Sequence, residues 1–224
     1  MDIGSAFTYM FDDEDWVKKL AIGGGIVFAA FILTPVLIGL LLFLPISGYM
    51  IEVLKNVRDG QSRPLPDWSD FGGLFKTGLF VFLIGLVYYI PVILLSCGTT
   101  GVQLLPQLAD MDSDAAGMIG FVAICLNCVQ ILVSLAVGLL WPAALIRYAQ
   151  YETFGSAFQI GEIFSFISAN LGDYIIVVLL TWVAGLLAGF GVILCFVGVF
   201  FTFFWSYLVA GNLYGQLARK AGTV

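Results

Sequence analysis

The sequence predicts an all-α integral membrane protein, with six transmembrane helices paired in three helical-hairpin repeats and flanked by short interfacial helices. Three observations carry this. First, 61% of the 224 residues are hydrophobic and 11% charged, against about 25% charged in soluble domains. With a mean hydropathy of +1.04, the chain has more apolar surface than a water-soluble core of this size can hide. Second, long stretches carry no charge: thirty-two residues from Leu20 to Ile51, thirty-two from Ala115 to Ile146 and forty-five from Tyr174 to Ala218. Third, six crossings place all nine lysines and arginines on one side.

Length decides how the stretches fold. At about 1.5 Å per residue the first would run roughly 48 Å as one helix and the last roughly 68 Å. The hydrocarbon core is only about 30 Å thick, so each folds into two spans. Thr34-Pro35 marks the first turn, because proline lacks an N–H and disfavours helix just before it. The first hairpin is therefore Trp16 to Leu33 and Val36 to Val57. The last turns near Cys195 to Val199.

The other elements follow in order. Ile3, Ala6, Phe7 and Met10 form one face of an interfacial helix that Asp12 to Asp15 end. Gln61 to Ser69, with Pro64 and Pro66, is the most polar connector, and Trp68 anchors it at headgroup depth. Phe71 to Lys76 reads as a second interfacial segment and Thr77 to Ser96 as the third span. Cys97 to Asp114 reads as a loop with Asp110, Asp112 and Asp114 but no basic residue. Ala115 to Ile146 is one long span, bounded by Asp114 and Arg147 and bent at Pro142. Phe154 to Ile167 is a third interfacial helix.

One membrane domain, 1–224, thus holds three candidate repeats, 3–60, 67–151 and 154–220. Gly4-Ser5-Ala6-Phe7 recurs as Gly155-Ser156-Ala157-Phe158, each ahead of an acid–aromatic pair, Asp15-Trp16 and Asp173-Tyr174. With six spans, Lys18, Lys19, Lys55, Arg58, Arg63, Lys76, Arg147, Arg219 and Lys220 all fall on one side of the membrane. The positive-inside rule then puts both termini in the cytoplasm and the protein in the plasma membrane. The first fifteen residues hold only acidic charges, the opposite of a secretory signal, so the first span serves as its own insertion signal.

Residue chemistry excludes several classes. A net charge of −6 argues against nucleic acid as a partner. The chain has no histidine, which removes Ser-His catalysis and most metal sites, and no nucleotide or zinc-protease fingerprint is present. No catalytic residue, cofactor or metal is therefore expected. Cys125 and Cys128 have metal or redox spacing, and with Cys97 and Cys195 they form a geometrically allowed outer cluster. Packing is the simpler role for these thiols.

Asn127, Gln130 and Ser134 share one helical face and form a candidate polar intramembrane face, either lining a solute path or bonding between helices at about 0.6 kcal/mol each. Arg58, Asp59, Asp67, Trp68, Arg147 and Glu162 form a candidate cytoplasmic docking set.

Phe11-Asp12-Asp13-Glu14-Asp15-Trp16-Val17-Lys18-Lys19-Leu20 and Gly48-Tyr49 with Asn56-Val57-Arg58-Asp59-Gly60 give the chain its distinctive pattern. Leu65-Pro66-Asp67-Trp68 and Phe71-Gly72-Gly73-Leu74-Phe75 continue it. On these motifs the chain resembles a family of archaeal and bacterial membrane proteins known only as a domain of unknown function. The resemblance implies a multi-pass helical membrane protein and supplies no activity or ligand.

Function is therefore expected to be non-enzymatic: an accessory or scaffold component that packs with a partner membrane protein or a second copy, or organises lipid. The 26 glycines of the apolar chain suit such packing. A small-solute transporter or channel using the Asn127 face is the alternative, with Pro91 and Pro142 interrupting its spans. A lipid-modifying enzyme is disfavoured by the missing histidine and metal motif.

Overall fold

A computed structural model describes residues 1–36, 38–193 and 196–222. Among these it forms eight α-helices: α1 (Ile3–Thr8), α2 (Trp16–Leu33), α3 (Ile38–Arg58), α4 (Phe71–Leu108), α5 (Ser113–Tyr151), α6 (Ile160–Ala169), α7 (Leu171–Gly189) and α8 (Gly198–Lys220). Five segments are long and apolar enough to cross a membrane: Trp16–Leu33, Ile38–Arg58, Trp68–Leu108, Ser113–Tyr151 and Leu171–Ile193. The expected sixth span corresponds to α8, which is long but too polar in composition to join them. Cys195, in the expected last turn and outer cysteine cluster, lies outside the described residues.

Two compact units divide the chain, Met1–Leu83 with Pro142–Val224, and Ile84–Trp141. In the first, α8 packs against α2, α3 and α7. Lipid is as apolar as leucine, so helices in a bilayer associate through close backbone packing rather than hydrophobic burial. The glycines provide it. A Cβ on Gly211 would lie 2.7 Å from the Met50 carbonyl oxygen, and one on Gly215 2.6 Å from that of Leu54. Where α3 crosses α4, a Cβ on Gly48 would collide with the Leu74 carbonyl and one on Gly78 with that of Leu44. Gly23 and Gly24 of α2 make room for the rings of Phe204 and Phe201. Tyr49, Phe204, Ile46 and Leu208 form the buried centre.

The second unit is a helical hairpin built from the C-terminal part of α4 and the N-terminal part of α5. Trp141 stacks edge-on against Tyr88 and Tyr89, with ring centroids 6.2 and 6.3 Å away. Gln130 Nε2 donates to Ser96 Oγ at 2.7 Å. Here two sequence expectations need correction. The segment from Cys97 to Asp114 is not an eighteen-residue loop: α4 continues to Leu108 and α5 starts at Ser113. Helix persists because in an apolar setting the backbone must satisfy its own hydrogen bonds. Thr99, read as a loop residue, turns its hydroxyl back to the Leu95 carbonyl at 2.8 Å. Asp112 ends the turn by accepting the Ala115 N–H at 2.8 Å. Likewise Phe71 to Lys76 is no separate interfacial segment but the first turns of α4.

Pro142 lies inside α5, and the backbone beside it is met by a side chain from another helix. Ala143 N–H, one residue past the proline, donates to the buried Tyr174 hydroxyl at 3.2 Å. Pro45, inside α3, is buried.

Candidate functional site

The charged residues of the first unit meet at one face. Its foundation is the connector between α3 and α4. Three carbonyls of that connector are held by side chains from neighbouring helices. Asn56 Nδ2 donates to Pro64 O at 3.0 Å, Lys19 Nζ to Leu65 O at 3.0 Å and the Tyr49 hydroxyl to Pro66 O at 2.8 Å. Prolines leave an extended chain with carbonyls and few donors, so donors must come from outside. In return Trp68 Nε1 donates to Lys19 O at 3.2 Å, and its ring stacks on Tyr49 with centroids 4.5 Å apart.

Lys19 and Asp13 anchor this strap. Lys19 is 9% exposed and Asp13 6%; the ammonium lies 2.9 Å from Asp13 Oδ2 and 3.3 Å from Asp67 Oδ1. Burial alone would raise the Asp13 pKa. The hydrogen bonds from Lys19 and the Asp15 N–H, with the charges of Lys19 and Arg63, outweigh it and hold the carboxyl below its ordinary value. Nearby, the Tyr9 hydroxyl donates to Leu208 O at 3.1 Å, and burial pushes its pKa well above the ordinary value, so it remains a donor.

A second network joins helix ends. Lys55 Nζ bonds Glu52 at 3.0 Å and Glu152 at 2.5 Å. Glu152 sits just past α5 with φ +52°, a left-handed position where glycine is usual, and from there its carboxylate reaches Lys55. That hydrogen bond and charge hold the Glu152 pKa down. Arg58 bonds Asp59 at 2.7 Å and the Ala149 carbonyl at 2.9 Å; its hydrogen bond likewise lowers the Asp59 pKa. Arg147 is 8% exposed, bonds Gln159 and the more distant Glu162 at 3.7 Å, and lies over the Tyr151 ring. Its Nε is buried without a partner among the described residues. Lys220 closes the face by pairing with Asp173 at 2.6 Å.

The starts of α2, α4 and α7 and the ends of α3, α5 and α8 are thus linked on one face. Of the six residues expected to dock partners, Arg58, Trp68 and Arg147 are committed to internal contacts. Asp67 and Glu162 expose most of their carboxylates, and Asp59 part of its own. Two of the three residues expected to form a polar face are bonded within the hairpin: Asn127 Nδ2 donates to Ala123 O of its own helix at 2.8 Å, and Gln130 Nε2 to Ser96 Oγ. Cys97, Cys125 and Cys128 are exposed free thiols. Sequence reasoning missed Asp13, Lys19 and Tyr49. The double proline of the strap signals that donors must be borrowed, without saying which residues supply them.

A family model described as a protein of unknown function (DUF4013) matches residues 28–197. No curated protein and no solved structure matches the chain.

Proposed function

The chain belongs to this family of proteins of unknown function (DUF4013), and from that premise we propose a non-enzymatic, multi-pass membrane component that packs against partner membrane proteins. The observation that carries the reading is the hairpin 84–141. Leu94, Met118, Phe121, Ile124 and Leu132 stand exposed along it. Gly98, Gly101, Gly117, Gly120 and Gly138 face open space, whereas the first unit's helix crossings are closed around glycine. The 38 residues of α4 and 39 of α5 have contour lengths of about 57 and 58 Å, nearly twice a hydrocarbon core. Lipid covers only part of such an apolar length, and partner helices suit the remainder.

Six spans complete the reading. The polar composition of α8 fits a helix shielded from lipid by α2, α3 and α7, and alternate helix ends meet at the basic face as an even number of crossings requires. By the positive-inside rule that face is cytoplasmic. A small-solute transporter is the alternative, and it would need the Gln130–Ser96 bond to open.

Co-purification in mild detergent tests the proposal. A stoichiometric membrane-protein partner, lost with Met118→Asp or Phe121→Asp while elution of the chain is unchanged, supports it. A chain that purifies alone, and that carries solute into liposomes until Asn127→Leu or Gln130→Leu stops it, overturns it.

A further inference from the structure

Beside the strap, the first unit opens a cleft of ≈ 640 Å³, within the range of about 300–1,000 Å³ typical of small-ligand sites. Its walls come from α1, the end of α3 with the following turn, and the last turns of α8. We propose that this cleft binds a zwitterion, an oxyanion joined to an ammonium group, of the kind an aminophospholipid headgroup presents.

The cationic end is Arg219. Arg58, Arg63 and Arg147 have acid partners at 2.7, 2.7 and 3.7 Å. The Arg219 guanidinium belongs to a residue lining the cleft and has no hydrogen bond or ion pair among the described residues. Its position is set by Gly60. The end of α3 is closed by bonds from Gly60 N–H to Val57 O at 3.1 Å and Gln61 N–H to Asn56 O at 2.9 Å, with Gly60 at φ +75°. The guanidinium lies flat over this glycine, its carbon and both terminal nitrogens 3.5 Å from where a Cβ would stand. A planar, five-donor group held this way suits an oxyanion.

A second donor is fixed by a chain of hydrogen bonds. Asp2 N–H donates to Gln216 Oε1 at 2.7 Å, and the Gln216 amide nitrogen donates both to the Asp2 carbonyl at 2.9 Å and to Asn212 Oδ1 at 2.7 Å. That leaves the NH2 of Asn212, a residue 4% exposed, for the cleft it lines.

The same cleft holds carboxylates. Asp2 caps α1 by accepting the Ser5 N–H at 3.0 Å, and exposed Asp12 has no hydrogen-bond or ion-pair partner among the described residues. The Lys220 side chain, which also lines the cleft, is already paired with Asp173. A bare phosphate at Arg219 would meet two uncompensated acids. A phosphoester carrying an ammonium gives Arg219 an anion and Asp12 a cation, and the aminophospholipid source rests on the membrane placement proposed above.

The test titrates the full chain in detergent with dihexanoyl phosphatidylethanolamine, dihexanoyl phosphatidylglycerol, phosphoethanolamine and inorganic phosphate, read by native mass spectrometry. Both ethanolamine compounds are expected to bind about tenfold more tightly than their anionic counterparts. Arg219→Gln weakens ethanolamine binding by about tenfold, and Asp12→Asn, at an exposed position, removes the preference for ethanolamine over glycerol. Tighter binding of the lipid than of phosphoethanolamine assigns the ligand to the bilayer, and equal binding assigns it to a soluble phosphoester; both support the cleft's chemistry. Absence of ethanolamine binding, or binding that both variants leave unchanged, overturns it. The phosphoethanolamine arm needs no membrane and no partner, so its failure is separate from failure of the proposed function.

Discussion

The Lys19 ammonium and the Asp13 carboxylate form a buried ion pair at 2.9 Å, and Lys19 spends a further hydrogen bond on the Leu65 carbonyl at 3.0 Å. Two sequence neighbours at the start of α2 thereby hold a connector that begins some forty residues later. Asp13→Asn removes one charge and leaves the other buried. It is expected to cost about 2 kcal/mol, below the ~3–5 kcal/mol of a fully isolated pair because Asp67 remains. Lys19→Met combined with Asp13→Leu should recover most of that loss. Unfolding in detergent measures both, and an additive loss in the double variant contradicts the pairing.

Acid sensitivity follows from three carboxyls. Asp13, Asp59 and Glu152 all have pKa values held below the ordinary carboxylate value in the folded chain. Each binds protons more weakly folded than unfolded, so its stabilisation is complete above about pH 4–5 and is lost as pH falls through the depressed folded values. The unfolding midpoint is expected to be level near neutrality and to drop below about pH 4. Glu152→Gln makes that decline shallower. A midpoint that rises on acidification contradicts the assignment.

Glycine positions should separate into two groups. Gly48→Val drives a side chain into the Leu74 backbone carbonyl and is expected to cost about 3 kcal/mol or more. Gly117 faces open space in the hairpin, and Gly117→Ala should be neutral or stabilising by up to about 1 kcal/mol. Thermal unfolding of the two variants side by side decides it; equal losses contradict the packing.

Tyr174→Phe removes the acceptor of the Ala143 N–H beside Pro142. A buried donor left without a partner costs about 1–3 kcal/mol, and the same unfolding assay reads it. No change in midpoint would show that the Ala143 N–H is satisfied otherwise.

Charge and proline made part of this fold readable in advance. The charge-free length before Glu52 and the pair Thr34-Pro35 place the break between α2 and α3, and the spacing of Lys19, Lys55, Arg58 and Lys220 gathers them at one face. The outer half of α4 was not readable: Gly98, Thr99, Thr100, Gly101 and Pro106 look like loop residues in water, while an apolar setting favours the self-satisfied helix. Partners of the strap were hidden for a different reason. Nothing local to Pro64 or Pro66 says that Asn56 and Tyr49 supply their carbonyls with donors. Arg147 and Arg58 looked available for docking because exposure is set by tertiary contacts with Gln159 and Ala149.

Sidedness tests the proposed architecture most directly. In a background with its cysteines replaced by serine, single cysteines at Arg63, Asp112 and Gly222 are challenged in intact cells with a membrane-impermeant maleimide. Asp112→Cys should label from outside, and Arg63→Cys and Gly222→Cys only after permeabilisation. Labelling of Arg63→Cys in intact cells, or protection of Asp112→Cys, would contradict a six-span chain with its basic face in the cytoplasm.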